Sequence, residues 1–285
     1  MMPEFELPLV AEKARNYTLR EWQSFFKAMY DHRNHEVEKR AFNNNTIAYV
    51  RGYILAHITE DLGNLAEVTR ENTKDPEKIT KYLGAVFAWL FALANDLDFD
   101  LGDVTFHKYP KVCPYCEKAV NCGDSWWAAS DTTKDKKPMA SVSGEPPKTL
   151  ADWYRMFDDI YGRKIRVAIP LHDIMHKLYE ELAEIFKELN TSNLDGVKYE
   201  VPDFVSWFFA FITKMKHYAF VVEDDLSNVL IRKFEQGCPD CLESRSKPGK
   251  RLSIVCVCPL PTWVGGEKKQ TRKPRSRSAS RAPSS

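Results

Sequence analysis

The sequence lacks any apolar run of the roughly 18 residues that a membrane-spanning helix needs, although 44% of its 285 residues are hydrophobic. Its first residues, MMPEFELPLVAEKARN, also lack the charged start and apolar stretch of a secretory signal. We therefore expect no membrane partner and a cytoplasmic location. Neither a glycine-rich phosphate loop nor a G-x-S-x-G nucleophile motif is present, so the sequence does not indicate a P-loop NTPase or a serine hydrolase.

Acidic residues are absent from 268–285, a segment that carries seven Lys or Arg residues. Because the formal net charge of the whole chain is only +1, the remainder is net acidic. The composition GGEKKQTRKPRSRSASRAPSS cannot bury a core and predicts a disordered basic tail over 261–285. Such a tail can bind nucleic acid or another acidic partner, or it can be a solvated appendage.

Cysteine is missing outside two clusters, and the count of seven is odd. In a chain without a predicted signal peptide, C-P-x-C pairs indicate metal sites or reduced thiols rather than a disulfide framework. The second cluster has enough thiolates for a closed structural zinc site, whereas the first needs His107 or another ligand as well. The second cluster comprises Cys238, Cys241, Cys256 and Cys258, and the first comprises Cys113, Cys116 and Cys122.

An internal repeat organises the chain. TLREWQSFFKAMYDHR beginning at Thr18 matches TLADWYRMFDDIYGRK beginning at Thr149, and each Thr has an acid three residues later, which is typical of a helix N-cap. Three further matches follow in the same order. They pair LAEVTRE with LAEIFKE, YLGAVFAWLFAL with EVPDFVSWFFAF, and HKYPKVCPYC with RKFEQGCPDC.

The apolar spacing predicts long helices and almost no strand, so we expect an all-α protein of two helical bundles in tandem. The first module spans 1–127 and the second 149–260, each with a C-terminal C-P-x-C knuckle. A Pro-, Ser- and Lys-rich linker separates them at 128–148. The predicted helices cover 18–38, 46–72, 76–97 and 100–107 in the first module, and 149–162, 168–190, 201–220 and 223–235 in the second.

Acidic residues cluster on two predicted helices of the second module. Glu181 with Glu184, and Glu200 with Asp203, are each three residues apart and can share a helix face. If neighbouring helices brought these pairs together, the concentrated negative charge would favour a cation with oxygen ligands, such as Mg²⁺ or Mn²⁺. The alternative is an ordinary solvated helix face.

The E-E-x-x-E pattern of Glu180, Glu181 and Glu184, followed by E-x-x-D at Glu200 and Asp203, resembles the MazG-like all-alpha nucleoside triphosphate pyrophosphohydrolases. This resemblance implies a helical bundle, often dimeric, that hydrolyses a nucleoside triphosphate to monophosphate and pyrophosphate with magnesium. It implies that these five acids bind the metal or orient water.

The first module departs from this pattern. Its E-x-x-D pair is replaced by Tyr82 and Ala85, and Asn64 stands in place of an acid. We therefore expect the first module to be degenerate, and we expect either a homodimer or an intramolecular pseudo-dimer in which the first module packs on the second. The alternative function is a catalytically degenerate nucleotide-sensing or interaction protein.

Overall fold

The computed structural model describes residues 11–41, 46–70, 75–122, 144–218, 225–235 and 237–239, with side chains described outside 31–49. Over these residues the chain is all-α, and no strand occurs. The N-terminal half consists of α1 (Ala11–Ala14), α2 (Leu19–Ala41), α3 (Thr46–Arg70), α4 (Pro76–Asp96) and α5 (Leu101–Lys108). Most of the linker, the basic tail and Cys241, Cys256 and Cys258 lie outside the described residues.

The C-terminal half begins with α6 (Leu150–Phe157), which continues through a π-helical turn (Asp158–Gly162) into α7 (Arg163–Val167). It then contains α8 (Leu171–Asn190), α9 (Leu194–His217) and α10 (Leu226–Phe234). The spacing therefore predicted the presence of each of the longer helices, but it did not predict α1, the π-helical turn or the start of α9.

Both predicted N-caps are confirmed. The hydroxyl of Thr149 accepts a hydrogen bond from the backbone N–H of Asp152 at 3.2 Å, and the Asp152 carboxylate accepts one from the backbone N–H of Thr149 at 3.1 Å. Thr18 and Glu21 form the corresponding pair at the start of α2. These reciprocal bonds satisfy backbone N–H groups that a helix start leaves without an intrahelical partner.

Replacing Thr149 with alanine is expected to lower the free energy of unfolding by about 1 kcal/mol, because it removes this cap. Thr149→Ser keeps the hydroxyl and should cost only a few tenths of a kcal/mol by comparison. Urea denaturation of the two variants measures the difference. Equal loss of stability in both would show that the methyl group of Thr149, and not its hydrogen bond, is what matters.

Two helical hairpins, α3 with α4 and α8 with α9, form the centre of the fold. The last helix of each half packs against the hairpin of the other half: α5 lies against α9, and α10 lies against α4. Stacked rings join the halves, with Phe87 and Phe208 centroids 5.3 Å apart. The buried side chains of both halves consequently form one continuous hydrophobic core.

Among the described residues, no helix is by itself long and apolar enough to cross a membrane, and α4 and α5 meet that test only as a pair bent by 97°.

The start of α9 differs from the sequence-based prediction of residue 201. The helix begins at Leu194, where the side chain of Asn193 accepts a hydrogen bond from the backbone N–H of Gly196 at 3.1 Å. Pro202 therefore lies inside the helix and not in its first turn. Because proline has no N–H, it removes one bond of the helix ladder here. As a result, Glu200 and Asp203 lie within the helix and face the neighbouring elements.

Candidate metal centre

The hairpin of α8 and α9 brings three of the predicted acids together. Glu181 and Glu184 project from α8, and Glu200 projects from α9. One carboxylate oxygen from each of the three lies within 4.8 Å of the others. This spacing is compatible with three oxygen ligands around one hard cation, whose bonds to oxygen measure about 2.0–2.6 Å.

Glu181 is the buried member of this carboxylate cluster. Its side chain lies in the interior, and its Oε2 atom has no hydrogen-bond partner among the described residues. Burial, together with the charges of Asp203 and Glu184, raises the pKa of Glu181 to about 9. A buried carboxylate oxygen without a partner is costly, so the cluster is poorly stabilised by the protein alone.

The pKa of Glu200 is also raised, but less than that of Glu181. Burial raises its pKa to about 7, Asp203 and Glu184 act in the same direction, and Lys108 opposes them. A divalent cation bound among the acids would offset the burial and repulsion that raise the pKa values of Glu181 and Glu200. The donor set consists only of oxygen atoms, which fits Mg²⁺ or Mn²⁺ better than a thiolate-preferring metal.

Asp203 is held by the end of the N-terminal half and lies outside the group of three converging acids. Its carboxylate accepts a hydrogen bond from Lys108 Nζ at 2.6 Å and another from the Tyr109 hydroxyl at 2.5 Å. Lys108 Nζ also donates to the backbone carbonyl of Tyr199 at 2.8 Å. Asp203 is therefore neutralised by a buried ion pair next to the carboxylate cluster, and Lys108 and Tyr109 belong to the site.

Glu180 lies on a different side of α8. Its side chain is 51% exposed, and it forms an ion pair with Lys177 at 2.6 Å, one turn earlier on the same helix. Successive residues of a helix are about 100° apart around its axis. With Glu181 turned into the interior, Glu180 consequently faces solvent. Of the five acids predicted for the site, the structure brings together Glu181, Glu184 and Glu200.

A corresponding contact between a lysine and a backbone carbonyl occurs at the N-terminal half, which lacks the cluster of acids. Lys233, which the repeat alignment pairs with Lys108, donates to the backbone carbonyl of Lys81 at 2.7 Å, just as Lys108 does to Tyr199. The residue aligned with Asp203 is Ala85. The two lysines therefore make corresponding contacts across the halves, but only Lys108 meets a carboxylate at the position of Asp203.

Sequence reasoning missed Lys108 and Tyr109. Lys108 is the last residue of α5 and Tyr109 follows it, and both belong to the segment HKYPKVCPYC, whose evident features are the repeat match and the cysteine pair. The available signal was the repeat itself, which pairs Lys108 with another lysine and Tyr109 with Phe234. Both halves have an aromatic ring at this aligned position, but only Tyr109 carries a hydroxyl group. That hydroxyl donates to Asp203 in the half that contains the acids.

The first cysteine cluster forms a compact group. The Sγ atoms of Cys113, Cys116 and Cys122 all lie within 4.8 Å of one another, and those of Cys116 and Cys122 are 3.2 Å apart. The three cysteines could therefore bind one metal ion, and the three acids could bind another. In the second cluster only Cys238 is described, and it is buried.

No family model, curated protein or solved structure matches the chain.

Proposed function

We propose that the protein is a divalent-metal-dependent nucleoside triphosphate pyrophosphohydrolase whose site lies in the C-terminal half. The observation that carries the proposal is the convergence of Glu181, Glu184 and Glu200 around a buried oxygen of Glu181 that has no partner among the described residues. A bound Mg²⁺ or Mn²⁺ would hold the triphosphate and polarise a phosphoryl oxygen. The MazG-like pattern of the acids in the sequence supports this choice of substrate.

The reaction adds one water to a nucleoside triphosphate. The water oxygen bonds to the α-phosphorus while the bond from that phosphorus to the bridging oxygen breaks. The monophosphate and pyrophosphate then leave, and the proton lost from water passes to solvent. In this reaction Glu181, Glu184 and Glu200 are the proposed metal ligands, and Lys108 and Tyr109 hold Asp203 in place beside them.

The N-terminal half completes the site in this proposal. Lys108 and Tyr109 reach Asp203 from the end of α5, and α5 itself packs against α9. We therefore propose an intramolecular pseudo-dimer, in which a half without the acids supplies the groups that a second subunit would otherwise provide.

A nucleotide sensor without turnover is the second candidate. The observations in its favour are the ion pair of Asp203 with Lys108 and the exposure of Glu180, which leave three of the five predicted acids together. Such a site would bind a metal nucleotide complex but lack a group needed for hydrolysis. The cytoplasmic location and the binding of acidic partners by the basic tail remain part of this proposal.

The test is to incubate the purified full-length chain with Mg²⁺ and a panel of ribo- and deoxyribonucleoside triphosphates, and to separate the products by ion-exchange chromatography. We expect monophosphate and pyrophosphate. Glu184→Gln should lower the rate at least about 100-fold, since even partners of metal ligands contribute ~10–100-fold. Glu180→Gln is the matched control on the same helix and should keep the wild-type rate, because Glu180 faces solvent.

Other results have defined meanings. Release of diphosphate and inorganic phosphate would contradict the proposed bond cleavage. Binding of a triphosphate without turnover, abolished by Glu184→Gln but kept by Glu180→Gln, would support the sensor. An equal effect of the two substitutions would show that the cluster of three acids is not the site.

A further inference from the structure

The segment that follows α5 carries the first cysteine cluster and is built by local turns. The backbone N–H of Cys113 donates to the carbonyl of Lys118 at 3.0 Å, and the N–H of Glu117 donates to the carbonyl of Cys113 at 2.8 Å. Glu117 has a φ of 58°, a left-handed conformation that a residue with a side chain adopts at a cost. This turn places the side chains of Cys113 and Cys116 on the same side of the segment.

Cys122 joins the group from the other end of the segment. Asn121, just before it, has a φ of 51°. Its backbone N–H donates to the carbonyl of Asp159 at 2.9 Å, and that of Cys122 donates to the carbonyl of Ile160 at 2.7 Å. The segment thus leaves the N-terminal half and is hydrogen-bonded by its backbone to the π-helical turn of the C-terminal half.

The π-helical turn is adapted to this contact. A helix with an inserted residue leaves carbonyls without their usual partners, which are then available to other groups. Gly162 ends the turn, and an added Cβ there would overlap the side-chain carboxylate of Asp158. The carbonyls of Asp159 and Ile160 are the groups of the turn that receive the cysteine segment.

We propose that Cys113, Cys116 and Cys122 bind a zinc ion that fastens the end of the N-terminal half to the π-helical turn of the C-terminal half. Three soft thiolate donors favour zinc over the hard cations proposed for the carboxylates. In a tetrahedral site with Zn–S bonds of ~2.3 Å, sulfur atoms are about 3.8 Å apart. The observed separation of 3.2 Å for Cys116 and Cys122 is close to this distance and far from the ~2.05 Å of a disulfide bond.

A zinc ion bound by these cysteines would stabilise the fold and would not take part in the chemistry proposed for the carboxylate cluster. Without it, the segment is held by backbone bonds and by buried side chains such as Tyr109 and Cys113, and three of its residues, at positions 111, 117 and 121, have left-handed backbone conformations. With it, loop closure by three ligands would stabilise the docked conformation, since the energy of zinc binding contributes directly to folding. No fourth His, Cys, Asp or Glu of the described residues joins the three cysteines, so water or another ligand completes the coordination.

The first measurement is the zinc content of the purified, reduced full-length chain by mass spectrometry of the metals. Cys116→Ser and Cys122→Ser should each lower it by one ion per chain. Cys238→Ser is the matched control, because it removes a buried cysteine of the other cluster and should leave the zinc bound by the first cluster in place. Cobalt added to metal-depleted wild-type protein should produce a thiolate-to-metal absorption band, and Cys238→Ser, in which the second cluster is incomplete, should keep a band from the first cluster.

Hydrogen exchange then tests whether zinc holds the cysteine segment on the π-helical turn. Removal of zinc with a chelator should increase the exchange rates of the Asn121 and Cys122 amides at least about tenfold, as expected for local opening. The amide of Trp153, which bonds within its own helix start, serves as the internal control. Absence of both zinc and the cobalt band in reduced wild-type protein would overturn the proposal, as would exchange rates that zinc removal leaves unchanged. None of these readouts depends on nucleotide hydrolysis.

Discussion

Replacing Lys108 with methionine is expected to lower the free energy of unfolding at neutral pH by about 3–5 kcal/mol, because it leaves the buried Asp203 carboxylate without its cation. The ion pair is well shielded: the side chain of Lys108 is 3% exposed and that of Asp203 is 11% exposed. Methionine matches the length and apolar part of the lysine side chain, so the lost charge dominates the effect. Urea denaturation of full-length protein measures the change.

Restoring neutrality should restore stability. In Lys108→Met/Asp203→Asn the buried charge is gone, and the Tyr109 hydroxyl can still donate to the side-chain oxygen of residue 203. The double variant should therefore be more stable than Lys108→Met by at least about 2 kcal/mol, as expected when an uncompensated buried charge is removed. Failure of the second substitution to recover stability would show that Lys108 acts through its bond to the Tyr199 carbonyl instead.

Lys233→Met is the matched control in the other half. Lys233 makes the corresponding bond to the carbonyl of Lys81, but this bond is exposed and the residue aligned with Asp203 is Ala85. We expect a loss of about 1 kcal/mol or less, the usual net contribution of a hydrogen bond. The difference between the two lysine variants then isolates what the carboxylate at position 203 adds.

The helices were predictable from the sequence because their signals are local. Apolar spacing within α8 defines one buried face, and the Thr149 and Asp152 pair marks a helix start by chemistry confined to four residues. The start of α9 was not predictable in the same way. The Pro202 ring suggests a first helical turn, whereas tertiary packing and the Asn193 cap keep the helix continuous through it.

The candidate site was predictable in part. The three-residue spacing of Glu181 and Glu184 placed both on one face, and their meeting with Glu200 follows from the short connection between α8 and α9. The ion pair of Lys108 and Asp203 joins residues 95 positions apart. No local pattern contains such a contact, because it depends on how the last helix of one half packs against the other half.

Replacing Glu181 with glutamine is expected to stabilise the metal-free protein at pH 8 and to change its stability little at pH 4. The pKa of Glu181 is about 9 in the folded chain, whereas a glutamate in an unfolded chain titrates near pH 4.3. As pH rises between these values the unfolded state loses its proton while the folded state keeps it, so the folded wild type becomes progressively less stable. Glutamine is neutral throughout and escapes this loss.

The gain at pH 8 should reach at least about 1.4 kcal/mol, the equivalent of one pKa unit. Urea denaturation in a chelating buffer at pH 4 and pH 8 measures it, and the exposed Glu180→Gln is the control with no expected gain at either pH. A destabilised Glu181→Gln at pH 8 would show that the ionised carboxylate is favourably bound by the protein itself.

Adding Mg²⁺ should stabilise wild type more than it stabilises Glu181→Gln. A cation that binds only the folded state stabilises it by about 2.7 kcal/mol at 100 times its dissociation constant, and this gain requires the negative charge that Glu181→Gln has lost. Wild type should therefore gain stability with Mg²⁺, while Glu181→Gln gains much less. A carboxylate that lowers stability without metal, and through which Mg²⁺ stabilises the fold, is explained by cation binding. Equal responses of the two proteins to Mg²⁺ would mean that the cluster is not the metal site.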